Sequence, residues 1–276
     1  MCRHRRGPSF NVGVPALPSW KPPLLFVLGA AGCVLLYLFL LNFPPTGLRS
    51  ATAGVIPVLV LAGTTAWLTA RVLRAEGWPP AVLGLGPGQR PAARFSVGFM
   101  AGTAQAALWM GIVTLVTGAT WHANPAFTGT ALLLACLFHL FNNIGEELVY
   151  RGYLFLRLAS AWGAATAILA TSSVFALLHL QAGLPWLSVL AVVFTAALVF
   201  GAVFARWRSL PLALGFHVAT NVIQDATGLR GGAHSLWTPQ YAGGATQQGP
   251  AILAAIAVLN TAVALALFLW PRRGQA

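Results

Sequence analysis

Acidic residues are nearly absent from this chain of 276 residues, which has only Glu76, Glu146, Glu147 and Asp225. Charged residues of both signs reach 7%, against about a quarter in an ordinary soluble domain. So few charges cannot coat a water-facing surface, which excludes a soluble globular protein. Lysine is equally scarce, with Lys21 alone among sixteen basic residues. The net charge of +12 would suit an anionic partner, but the arginines flank or separate apolar runs. No compact basic face with interleaved aromatics forms, so nucleic acid is excluded as a partner. Cysteine is limited to Cys2, Cys33 and Cys136, with no CxxC and no metal-ligand spacing. No disulfide is expected, and thiols in apolar runs act as small packed side chains.

What is present is hydrophobic sequence, 58% of the chain. A bilayer-crossing helix needs about 20 mostly apolar residues. On that basis spans are expected near 23–43, 51–73, 95–118, 129–157, 163–182, 186–206, 210–227 and 250–270. The expected fold class is therefore all-α, a polytopic transmembrane bundle of about eight helices. Pro44-Pro45, Gly77 to Pro80, Pro87 to Pro91 and Gly183 to Pro185 punctuate the gaps. The run before Cys33 faintly resembles a lipoprotein cleavage site, but the following residues stay apolar, so the first helix is expected to be retained. Small residues of the first, third and eighth spans, Gly29 and Gly32 among them, suggest close helix packing.

Cytoplasmic loops are enriched in Lys and Arg. With the N-terminus inside, the inner segments hold Arg3, Arg5, Arg6, Lys21, Arg71, Arg74, Arg90, Arg94, Arg151, Arg157, Arg206, Arg208, Arg272 and Arg273; the outer loops hold Arg49 and Arg230. That asymmetry predicts a multi-pass protein of the cell membrane with both termini cytoplasmic, anchored at its end by Trp270-Pro271-Arg272-Arg273. The chain divides into a basic tail (1–22), N-terminal helices (23–128), a core (129–227), and a polar loop with the last helix (228–276).

Two of the four acids are adjacent, in the fourth span. An ionisable side chain at the bilayer centre costs about 2.5–3.5 kcal/mol on insertion scales, and such residues mark function by default. Neighbours on a helix point about 100° apart, so Glu146 and Glu147 face different ways. Glu147 and Arg151 are spaced four apart with the acid first, the favoured order for an ion pair. That leaves Glu146 as the free, reactive carboxylate. Phe175 and His179 in the fifth of the predicted spans, and His217 and Asn221 in the seventh, are likewise spaced four apart on one face. Measured along the helices, Glu146 and His179 lie about 20 and 24 Å deep, and His217 and Asn221 about 14–20 Å. These levels agree only if the fourth helix continues past Arg151 to about residue 158. His139 falls on nearly the same face as Glu146, and Asn142 and Asn143 lie one turn away; His4, His122 and His234 fall in ends or loops with no catalytic role expected.

A carboxylate base, imidazoles and an amide donor suit acyl transfer to water. The ordered trio Glu146-Glu147-x-x-x-Arg151, Phe175-x-x-x-His179 and His217-x-x-x-Asn221 resembles the CPBP family, also called Abi, which contains the Rce-type CAAX prenyl proteases. The resemblance spans about residues 129–225 and implies an intramembrane endopeptidase acting on a membrane-associated protein or peptide within the lipid bilayer. It implies Glu146 as general base, His179 holding the water, His217 and Asn221 stabilising the oxyanion, and Glu147, Arg151 and Phe175 in support. The family is often called metalloprotease, which makes Glu146, His179 and His217 candidate Zn²⁺ ligands. The sequence lacks His-Glu-x-x-His, and the favoured reading requires no cofactor. A non-catalytic scaffold or immunity-type role is the alternative from another class; a proton-coupled transporter is disfavoured by the absence of an inverted repeat.

Overall fold

The structure is a computed structural model that describes residues 20–43, 54–244 and 249–270. The expected basic tail to residue 19, the Pro44-Pro45 punctuation, the start of the second span at 51–53 and the Pro271-Arg272-Arg273 part of the terminal anchor lie outside the described residues. The helices are α1 (Lys21–Asn42), α2 (Val55–Ala75), α3 (Pro91–Thr117), α4 (Gly129–Tyr150), α5 (Tyr153–Trp162), α6 (Ala164–His179), α7 (Trp186–Trp207), α8 (Leu210–Ala226) and α9 (Pro250–Leu269). Among the described residues, six stretches are long and apolar enough to cross a membrane, α4 and α5 counting together as one, whereas α6 has 16 residues and α8 has 17. The chain is an all-α, multi-pass helix bundle.

Local chemistry sets the helix starts. Proline occupies the first turn of α1, α3, α8 and α9, where a missing N–H costs nothing. Thr128 Oγ1 caps α4 by accepting from the Ala131 N–H at 3.2 Å, and Ser209 caps α8 through Leu212. One interruption departs from the expected continuous fourth span: the helix stops at Tyr150 and resumes as α5 from Tyr153. Gly152 makes this possible, because a Cβ there would collide with the Leu148 carbonyl.

The helix carrying His217 is seated by glycine. A methyl group at Gly98 or Gly102 of α3, or at Gly215 of α8, would strike the backbone of Leu212, Phe216 or Phe95 respectively. Small residues thus let α3 and α8 approach backbone to backbone. Of the pair singled out in α1, Gly29 meets the Leu68 side chain, while Gly32 has open space. The central helix α7 is the most buried of the long spans and contains a π-helical stretch, Val189–Phe194. It is tied to α3 and α9 by a buried polar knot. Asn260 Oδ1 accepts from Gln105 Nε2 at 2.8 Å and Trp109 Nε1 at 3.1 Å, and Asn260 Nδ2 donates to Thr195 Oγ1 at 2.9 Å.

The polar loop after α8 is partly ordered into strand. β1 (Thr120–Ala123) pairs antiparallel with β2 (Trp237–Gln240), Thr120 opposite Gln240 and Ala123 opposite Trp237. Asn124 Nδ2 donates to the carbonyls of Gly232 and Ser235, folding the loop over the ends of α4 and α8.

Arg151 and Arg157, expected among the inner-loop cations, are instead buried at 0% and 2% exposure. Arg157 pairs with Glu76, and its Nε donates to Tyr153 Oη at 2.9 Å; Tyr153 Oη in turn donates to Glu76 at 2.9 Å. This triad binds α2 to α5. The remaining described cations Lys21, Arg71, Arg74, Arg90, Arg94, Arg206 and Arg208 gather at one end of the bundle, where Arg94 Nη1 donates to the Trp207 carbonyl and Arg206 to that of Trp270. Arg230 lies at the other end, beside the ribbon.

Candidate active site

The site is built from α4, α6 and α8. Glu147 and Arg151 are fully buried, with Arg151 Nη1 donating to Glu147 Oε1 at 3.2 Å. Arg151 Nη2 donates to the Ala197 carbonyl at 3.1 Å, and its guanidinium lies 5.0 Å from the Phe175 ring centroid and 5.5 Å from that of Phe200. The same Glu147 oxygen also accepts from His217 Nδ1 at 2.9 Å. A carboxylate only accepts, so Nδ1 carries the proton and Nε2 is aimed outward. The imidazole stacks on Phe200 at a centroid separation of 4.1 Å, which fixes its plane.

Glu146 stands apart from this brace, on the next face of α4. Its Oε2 is 3.7 Å from His217 Nε2, beyond direct hydrogen-bond range but within reach of a shared water. Its side chain is 18% exposed, to a cavity of about 360 Å³ whose wall also holds His179, His217 and Asn221. His179 Nδ1 donates to the Phe175 carbonyl at 2.8 Å, since a carbonyl only accepts, leaving Nε2 as the free ring nitrogen. Phe175, buried at 3%, packs against both imidazoles, with centroids 4.4 Å from His179 and 5.9 Å from His217.

The four residues proposed from sequence as reactive thus share one cavity, although the fourth helix breaks where the depth comparison required continuity. The convergence survives because α5 extends the chain to Trp162 and α6 begins directly after Gly163, carrying His179 back to the level of Glu146. Asn143 and Asn142 also sit here: Asn143, wholly buried, accepts from Asn221 Nδ2 at 3.2 Å, and Asn142 lines the cavity.

Sequence reasoning missed a second cluster on the outer flank. Asp225 Oδ2 accepts from His139 Nε2 at 2.6 Å, Asp225 Oδ1 accepts from Arg230 Nη1 at 3.2 Å, and His234 Nε2 lies 3.6 Å away. Arg230 Nη2 donates onward to Asn221 Oδ1 at 2.9 Å and Gln224 Oε1 at 3.3 Å. The rule that acids in a membrane bundle need partners applies to Asp225 and could have pointed to Arg230, five residues on.

As a metal site the candidates do not fit. Among the described residues, no three His, Cys, Asp or Glu side chains come together to hold an ion, and Glu146, His179 and His217 do not present three convergent donors.

Neither a curated protein nor a solved structure matches the chain. Residues 128–223 match a family model described as type II CAAX prenyl endopeptidase Rce1-like. The matched stretch contains all the residues of the ordered trio and ends before Asp225 and Arg230. Over this core, residues 128–223 of 276, the chain is similar to the CPBP/Rce1-type family of CAAX-type endopeptidases.

Proposed function

We propose that the protein hydrolyses a peptide bond in a membrane-associated protein or peptide, using a water activated by Glu146 and no cofactor. The observation that carries this reading is the gathering of Glu146, His179, His217 and Asn221 on the wall of one cavity in an otherwise apolar bundle. A water held there by Glu146 and by the free Nε2 of His179 attacks the carbonyl carbon as its proton passes to Glu146. The new C–O bond pushes charge onto the carbonyl oxygen, where Asn221 Nδ2 donates. His217 donates from Nε2 as well only when doubly protonated, because Nδ1 already serves Glu147. Glu146 then returns its proton to the departing amine as the C–N bond breaks. Glu147, Arg151 and Phe175 hold the imidazoles in place.

The gathering of cations at one end supports a cell-membrane topology with both termini in the cytoplasm.

The test is cleavage of an internally quenched prenylated CAAX peptide by the purified protein in detergent. Wild type is expected to cleave it, and Glu146→Gln to show no turnover while keeping its melting temperature. Near-wild-type turnover in Glu146→Gln removes the general-base role. Membrane-protein termini compared between cells carrying wild type and Glu146→Gln then identify the natural substrate.

A further inference from the structure

Arg230 connects the His139–Asp225 pair to Asn221 on the cavity wall, and it lies outside the matched family segment. We propose that Arg230 is a positioning residue of the hydrolytic site, fixing the Asn221 amide so that its NH₂ group faces the developing oxyanion. The inference rests on the oxyanion role of Asn221 proposed above and adds the device that orients it.

The oxygen and nitrogen of an Asn side chain are nearly equal in size, and rotation by half a turn exchanges a donor pair for an acceptor. An oxygen turned toward a tetrahedral oxyanion would repel it. Guanidinium nitrogens only donate, so the Asn221 atom 2.9 Å from Arg230 Nη2 is the carbonyl oxygen. The nitrogen then points the other way, one hydrogen bound to Asn143 Oδ1 at 3.2 Å and the second available to the cavity.

Arg230 is itself held. Its side chain is 42% exposed, and a long side chain that free would average over many rotamers. Asp225, only 9% exposed in its side chain, binds Nη1 at 3.2 Å and is clamped from the far side by His139 at 2.6 Å. The chain His139–Asp225–Arg230–Asn221 therefore runs from α4 through the loop after α8 and back to the α8 face that carries His217. Lysine could not span Asp225 and Asn221 with two fixed donors.

The test is a double-mutant cycle with the quenched peptide. Arg230→Ala is expected to lower kcat by about tenfold with KM changed less than about twofold, since the loss concerns the transition state. Arg230→Lys should recover part of it. Asn221→Ala is expected to lose on the order of 10²–10³ in kcat, and adding Arg230→Ala to it should cost nothing further. Equal losses from Arg230→Ala in both backgrounds, or a wild-type kcat in Arg230→Ala, overturn the positioning role while leaving Asn221 in place. A wild-type kcat in Asn221→Ala overturns the oxyanion assignment itself. Independently of turnover, isotope-labelled asparagine should show the Asn221 side-chain amide signal, identified by its loss in Asn221→Ala, shifting in Arg230→Ala and not in Arg71→Ala. An unmoved signal also overturns the proposal.

Discussion

Glu147 is bound by two cations or donors at one oxygen, Arg151 at 3.2 Å and His217 at 2.9 Å, in a position with no solvent exposure. Removing one member of such a buried pair leaves an uncompensated charge, at a cost of about 3–5 kcal/mol. Glu147→Ala and Arg151→Ala are accordingly expected to lower the thermal midpoint in detergent and the folded yield. Wild-type stability in both would refute the bracing role. The failure of Glu146, His179 and His217 to form a three-donor set leads to a separate expectation: 1,10-phenanthroline leaves the peptide-cleavage rate unchanged. Inhibition reversed by added Zn²⁺ would instead assign a metal to the site. At this scale the side chains that share the cavity were legible because there are so few polar residues for an apolar bundle to hide. The partners of Asp225 and Glu76 were not. His139 and Arg157 reach those acids across long stretches of chain, and nothing in a single sequence pairs them.

Between helices, the site depends on the α3–α8 crossing, because His217 follows Gly215 by two residues on the same helix. A side chain at Gly215 would meet the Phe95 carbonyl and the Phe99 backbone nitrogen, neither of which can yield as a flexible side chain would. Overpacking of this kind costs about 1–3 kcal/mol, and displacing a catalytic group by about 1 Å can cost 10²-fold in rate. Gly215→Ala is therefore expected to lose both stability and turnover. Gly111→Ala, in the same α3 helix but with nothing within 4 Å of the added methyl, should lose neither. Equal behaviour of the two variants would deny the crossing its role. Hydrophobic run length revealed the helices themselves, and the small residues of the third span hinted at its packing. The break at Arg151–Gly152 was hidden because Gly152 is a single glycine between two apolar stretches, Leu148 to Tyr150 and Tyr153 to Leu156, that read as one span. The ribbon was hidden too, since Thr120–Ala123 and Trp237–Gln240 are each four residues long, too short for an alternating signal to stand out from loop.

For the whole molecule, the direction of insertion follows from which end carries the cations. Arg151 and Arg157, expected as inner-loop charges, are both buried and paired and carry no topological information. Lys21, Arg71, Arg74, Arg90, Arg94, Arg206 and Arg208 still do. The helix α3, 27 residues long and hence about 40 Å, separates the Gln89 end of the bundle from the β1–β2 ribbon, so the two report on opposite faces. With Cys2, Cys33 and Cys136 replaced by serine, Gln89→Cys should resist a membrane-impermeant maleimide in intact cells and react after permeabilisation. Thr238→Cys, exposed on the ribbon, should react without it. The reverse pattern would invert the bundle, and the cytoplasmic assignment of both termini would fall with the orientation.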